Sequence, residues 1–250
     1  MIGGFTVTGN GPKQILLRAM GPSTEVPGVL ADPVLDLYLH GELVMTNDNW
    51  QDASNAGQIP AEFRPQDPRE SAILITLSPE AYTGVVHGKA GATGIGLVEV
   101  YDLSTSTPSK VVNISTRGLV QTGDNRLIGG FILSGNQNTT MEIVVRAIGP
   151  SLSNWQILNP IADPFLDVRD GNGSRLATND NWRDDVNAAK VEQFGLAPQN
   201  DLESALYLRL LPGAYTAIVS NKDGSDGVGL VEVYSATNDG EVDPSPVPPR

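Results

Sequence analysis

The densest group of hard oxygen donors in this chain is Asn47, Asp48, Asn49 and Asp52, and it returns as Asn179, Asp180, Asn181, Asp184 and Asp185. Calcium takes about six to eight oxygens from a flexible loop, so these two loops are where a cation is to be sought. Asp32 and Asp36, Asp163 and Asp167, or Glu70 and Glu203 would complete the shell if the fold brought them near. The same residue types form turns and cap helices, and their spacing matches no calcium-loop signature such as the EF-hand. The cofactor expectation is therefore Ca2+ or none.

Arg18 and Arg146 lie in apolar segments just before Gly21-Pro22 and Gly149-Pro150. An arginine in such a strand must be satisfied, and the expected partners are Glu99 and Glu232, themselves mid-strand, or else Glu70 and Glu203. The alternative use of these arginines is recognition of a carboxylate or sugar acid. Trp155 sits in an irregular Ser-Asn-Trp-Gln loop with no aromatic counterpart in the first half of the chain. It is the aromatic expected to be most exposed, and the one that would offer a sugar a stacking face.

Catalysis finds few of its usual parts. Asp48 with Glu70 would make a glycosidase pair only if held about 5–10 Å apart across a cleft, and nothing in the sequence places them so. There is no cysteine, and of the two histidines neither recurs: Ser220 stands at the place of His87, and the turn holding His40 becomes Asp170-Gly171-Asn172-Gly173. No Gly-x-Ser-x-Gly elbow, His-Glu-x-x-His helix or phosphate loop occurs. A non-catalytic role is expected. With 29 acidic against 16 basic residues and a net charge of −13, the chain repels phosphate backbones and anionic lipid. No nucleic-acid partner and no membrane insertion are expected, since no apolar run approaches the length of a spanning helix.

These residues must be positioned by a duplicated framework. Ile2-Gly3-Gly4-Phe5 returns as Ile128-Gly129-Gly130-Phe131, and Gly94–Tyr101 returns as Gly227–Tyr234. Arg18-Ala19, Ala31-Asp32-Pro33 and Thr46–Trp50 recur as Arg146-Ala147, Ala162-Asp163-Pro164 and Thr178–Trp182. The period is that of a whole domain, far longer than a solenoid repeat. Apolar segments are short, alternating or β-branched, and bounded by Gly, Pro, Asn and Asp, which is the strand pattern. It places strands near 2–8, 13–20, 34–40, 42–46, 71–77, 81–87 and 94–102, then near 113–120, 127–134, 140–148, 165–169, 174–178, 203–210, 214–220 and 227–235. In the strand ending each copy, Val98 and Val100 share the face expected to be core. Helix is expected only after Trp50 and Trp182, where 184–190 allows two turns.

The fold class expected is all-β: two tandem β-sandwich, jelly-roll-like domains, each with about seven to eight strands and at most one short helix. The boundaries read as 1–104 for the first, a polar linker at 105–110, 111–236 for the second, and a Pro-rich spacer at 237–250. The segment 113–120 has no counterpart ahead of Met1, so the chain reads as a piece of a longer array whose first domain lacks its leading strand. Another copy of the repeat could then add a strand there.

The run Asp36-Leu37-Tyr38-Leu39, Thr46-Asn47-Asp48 and Leu77–Val86, with its second version Asp167–Gly173, Thr178-Asn179-Asp180 and Leu211–Val219, resembles bacterial pre-peptidase C-terminal domains. The resemblance covers about the last two-thirds of each copy. It implies β-sandwiches appended to secreted enzymes and surface proteins, some calcium-holding and collagen-binding. The Arg-Ala-x-Gly-Pro-Ser segments and 113–120 instead resemble uncharacterised repeat units of very large secreted bacterial proteins. An extracellular or cell-surface stalk, adhesion or assembly module is the implied role; the alternative is a carbohydrate- or matrix-binding module beside a hydrolase.

Overall fold

A computed structural model describes residues 1–104, 108–123 and 125–236. The spacer read at 237–250 lies outside these residues, as do 105–107 of the linker. The chain is mostly β and its strands pair antiparallel. It forms two compact units, Met1–Val112 and the stretch from Asn113 onward. No helix among the described residues is long and apolar enough to cross a membrane.

The first unit holds β1 (Ile2–Thr8), β2 (Lys13–Met20), β3 (Pro33–Leu39), β4 (Glu42–Asn47), β5 (Ser71–Leu77), β6 (Ala81–Gly88) and β7 (Leu97–Asp102). Within it the strands run β1-β6-β3-β4 in one sheet and β5-β2-β7 in the other. Strand β2 shows why both of its faces are apolar. Ile15, Leu17 and Ala19 lie fully buried on one side, while Leu16, on the other, joins Ile59, Ala72 and Leu74 in a second cluster roofed by Trp50, Phe63 and Tyr101. Each such isoleucine or leucine side chain contributes about 1.5–3 kcal/mol by leaving water.

The second unit holds β8 (Lys110–Val120, from Asn113 on), β9 (Leu127–Leu133), β10 (Met141–Ile148), β11 (Pro164–Asp170), β12 (Arg175–Asn179), α1 (Ala188–Gln193), β13 (Ser204–Leu210), β14 (Gly213–Asn221) and β15 (Gly227–Ser235). Its strands run β12-β11-β14-β9 in one sheet and β13-β10-β15-β8 in the other. Phe131, Leu166, Val168 and Val219 from one sheet meet Ile143, Val145, Val231 and Val233 from the other in a shared core. Val231 and Val233 thus occupy the core face that the alternation predicts, but the opposite face is buried too. Val144, Tyr207 and Tyr234 pack there under Trp182, Val191 and Leu196.

Two elements differ from expectation. The α-helix starts at Ala188 rather than near Asp184, because Trp182–Asp184 form a 3-10 turn and Asp185 is extended (φ −75°, ψ 139°). In the first unit the matching stretch makes only 3-10 turns at Ala56–Gln58 and Ala61–Phe63. Pro60 stands where α1 has Glu192, and the residue before it, Ile59, is pushed to ψ 122°, so the helix cannot propagate.

The second difference is at the end of the first copy. The strand expected over 94–102 begins only at Leu97, although the matching Gly227-Val228-Gly229 is strand in the second unit. Ser104 and Ser109, in the polar stretch that follows, are anchored. Lys13, with a buried side chain, donates to the carbonyls of Ser104 (2.9 Å) and Ser109 (2.6 Å) and pairs with Asp102 (2.9 Å), while Ser109 Oγ donates to Gly11 O.

Candidate functional site

The recurring ionisable residues form three constellations in each unit. In the first, Arg18 and Glu99 are directly opposite on β2 and β7, as Arg146 and Glu232 are on β10 and β15. Arg18 Nε donates to Glu99 Oε2 at 2.8 Å, Nη2 reaches the same oxygen, and Nη1 donates to Phe63 O at 2.7 Å. Tyr101 closes the network by donating to Glu99 Oε1 at 2.8 Å and lies beneath the guanidinium, 4.9 Å from ring centre to Cζ. The second unit repeats every bond with Leu196 O and Tyr234. Burial pushes the Tyr234 phenol up, and the neighbouring Glu232 carboxylate adds to it. Burial works against the Arg146 cation, yet Glu232 and Tyr234 together, by charge and hydrogen bonding, outweigh it and hold the guanidinium above its ordinary value. These arginines are satisfied within the chain, which leaves no guanidinium face aimed at a ligand acid. The tyrosines, two positions after each glutamate, escaped the sequence reading although they recur with it.

The second constellation explains Gly-Pro-Ser. Glu70, wholly buried, accepts from Gly21 N (3.0 Å), Ser23 N (2.9 Å) and Ser23 Oγ (2.6 Å). Glu203 does the same with Gly149 N (3.1 Å), Ser151 N (2.9 Å) and the Ser151 hydroxyl. The glycine is required by close approach, since a Cβ on Gly149 would lie 2.4 Å from Ile161 O and one on Gly21 2.0 Å from Leu30 O. The proline starts a 3-10 turn, where its missing N–H costs nothing. So Glu70 and Glu203 are bonded to backbone amides and serines rather than to the arginines, and both are wholly buried.

The third is the Asn/Asp loop. Asn47 Oδ1 accepts from Ala72 N (2.9 Å) and its Nδ2 donates to Asn49 O (3.1 Å); Asn179 repeats this with Ala205 N and Asn181 O. Asn49 and Asn181 donate to Asp52 and Asp184. Asp48 faces Lys89 Nζ at 2.6 Å, with Asp32 at 3.7 Å, and Asp180 binds Lys222 in the same way. Hydrogen bonds to Asp48 and Asp180 raise the two ammonium groups. Burial, then the charge of Asp180, raises Asp163. One oxygen each of Asp32, Asp48, Asp163 and Asp180 is buried without a protein partner, as are Nε1 of Trp50 and Trp182.

Each loop leaves two buried carboxylate oxygens without a protein partner, beside an ammonium, where calcium takes about six to eight oxygens. Asp36 and Asp167 turn elsewhere, Asp36 to Thr46 and His87, Asp167 to Arg169 and Arg175. Among the described residues no group of three or more His, Cys, Asp or Glu is arranged to hold a metal. Lys89 and Lys222 were missed, though their matched places after β6 and β14 are a signal the repeat alignment contains. Trp155 is half-buried against Ile148, Leu152 and Leu230 rather than presented as a platform.

The two copies also differ along β7. The side chains of Arg146 and Glu232 are 7% and 3% exposed, whereas those of Arg18 and Glu99 are 11% and 22%. The physical cause lies within each unit: β15 is paired with β10 and β8, but β7, among the described residues, with β2 alone.

No family model matches this chain, and no curated protein matches it. Among solved structures, similarity is found to the major capsid protein P2 from bacteriophage PM2, at 12% identity over 95% of this chain and 90% of that one, with a TM-score of 0.25. A second is the STIV MCP, at 10% identity over 92% and 87%, again with a TM-score of 0.25. At that score neither likeness bears on the role of this chain.

Proposed function

We propose that the chain is a pair of tandem β-sandwich, jelly-roll-like repeats serving as a non-catalytic stalk, adhesion or assembly module of a secreted or cell-surface protein. The observation that carries this reading is how the recurring polar residues are spent. Arg18–Glu99–Tyr101, Glu70 with Gly21 and Ser23, and Asn47 with Ala72 each bond inward to the fold, and each has its twin in the second unit. A duplicated reactive centre would present a free carboxylate to substrate; here Glu70, Glu99 and their twins hold strands and turns together, and the unpartnered oxygens of Asp32, Asp48, Asp163 and Asp180 are buried. The extracellular placement rests on the resemblance to pre-peptidase C-terminal domains. The partners this role calls for are further copies of the repeat or neighbouring domains.

Sedimentation of the chain over a wide concentration range, with glycan-array and collagen-binding assays beside it, tests the proposal. Self-association without a selective ligand is the expected outcome. A strictly monomeric chain would remove the assembly role, and selective capture of a polysaccharide or of collagen would replace it with that of a binding module. Turnover of any polymer, abolished in D48N/D180N, would overturn it.

A further inference from the structure

We infer that the free edge of β7 is an acceptor for an added antiparallel strand of the β8 type, carried by another copy of this repeat. This rests on the repeat-module reading. The chain itself supplies the template. In the second unit Gly227–Tyr234 pairs residue by residue with Asn113–Val120, from Gly227 opposite Val120 to Tyr234 opposite Asn113. Gly94–Tyr101 has the same Gly-x-Gly-Leu-Val-Glu-Val-Tyr sequence pattern and the same partner on its inner side, but among the described residues no backbone bond reaches Leu97–Asp102 from outside β2.

Three consequences of the open edge point to the missing occupant. Gly94–Gly96 join no strand ladder beyond the isolated bridge of Ile95 to Val29, while their equivalents are strand. Leu97 is 43% exposed where Leu230 is 4% exposed. The third is Gly96. A Cβ on Gly229 would stand 2.7 Å from Val120 of β8, so glycine is needed where that strand lies alongside. At Gly96 the nearest atom to such a Cβ is 3.7 Å away, so the first unit by itself has room for a side chain there. Glycine at this position fits an edge that a strand like β8 covers. The edge also lacks the features that discourage pairing: it carries no proline and no lysine, and Glu99 is turned into its arginine.

In the added register Asn113 of the incoming strand lies opposite Tyr101, Ser115 opposite Glu99 and Arg117 opposite Leu97. Main-chain hydrogen bonds supply the attraction, and Gly94–Gly96 extend β7 by joining the ladder. The Arg18–Glu99–Tyr101 network becomes as dry as its twin.

The probe is a synthetic peptide with the sequence of residues 110–121, added to the full chain and read by binding and by amide hydrogen exchange. Saturable binding is expected, with exchange along Leu97–Asp102 slowed about tenfold or more while β15 is unchanged. The same peptide with proline at both 115 and 116 should not bind, because one of two consecutive strand amides must face its partner. Gly96→Val should leave thermal unfolding as it was and weaken peptide binding about tenfold or more, since the new side chain would occupy the strand's path. If Gly96→Val disturbs folding, Gly96→Ala and the proline peptide carry the comparison. Failure of the unmodified peptide to bind would overturn the inference, as would binding that protects another segment or that Gly96→Val leaves intact. A chain that remains monomeric yet binds the peptide would refute the assembly role and leave the acceptor edge standing.

Discussion

Replacing Glu232 by glutamine should cost far more than the same change at Glu99, although the two make the same bonds. Glutamine keeps the shape and one acceptor oxygen but leaves the arginine without its counter-charge. In the second unit Arg146 and Glu232 are 7% and 3% exposed, so water cannot compensate. Loss of one partner of a buried pair costs about 3–5 kcal/mol. In the first unit Glu99 is 22% exposed along the open side of β7, where water can approach the stranded guanidinium. The penalty there should fall to about 1–2 kcal/mol, between the values for buried and surface pairs. Hydrogen exchange of β10 and β2 amides reports the stability of each unit separately. Trp50 gives a fluorescence reporter in the first unit, and Trp155 and Trp182 do so in the second. Equal losses, or a larger loss for Glu99→Gln, would refute the argument that strand coverage sets the strength of this network. With the 110–121 peptide bound, the Glu99→Gln penalty should rise toward the Glu232→Gln value.

Other outcomes follow from the same geometry. Gly149→Ala should lower the unfolding midpoint of the second unit by the equivalent of about 1–3 kcal/mol, because the new Cβ would meet Ile161 O at 2.4 Å; an unchanged midpoint in calorimetry would contradict the close approach. Burial works to raise the carboxyl of Asp167, but hydrogen bonds from Arg175 and Arg169 prevail and hold it below its ordinary 3.8. A lowered folded value means that the unfolded chain binds the proton first, so this stabilisation is present above 3.8 and is lost as pH falls below it. Urea midpoints of wild type and Asp167→Asn should therefore converge in acid and separate at neutral pH, and a constant gap would count against the assignment. Thermal midpoints with millimolar calcium and with chelator should coincide; a rise with calcium would show a native-state site that Lys89 and Lys222 do not fill.

Much of the framework was legible in the chain because its signals are local. The short aliphatic runs in Lys13–Met20 and Ser71–Leu77 have the length and residue types of a strand buried on both faces, and β2 and β5 span those residues. The opposition of arginine and mid-strand glutamate could likewise be sought from sequence, since burial of a cation demands a carboxylate. The duplication itself marked which residues come in matched sets. What sequence could not rank was competition among partners. Asn47, Asp48 and Asp52 are as suited to calcium as to turns, and only the fold brings Asp48 to a lysine more than forty positions away and Asn47 to a backbone amide of β5. Glu70 was an equal candidate for Arg18 until folding set it against Gly21 and Ser23. Helix length turned on one residue, Pro60 in place of Glu192. Most plainly, Gly94–Tyr101 and Gly227–Tyr234 carry nearly the same residues, yet only the second is strand from its first glycine. A strand's hydrogen bonds are made with a neighbour remote in sequence, so tertiary pairing decides whether the segment is a buried central strand or an open edge.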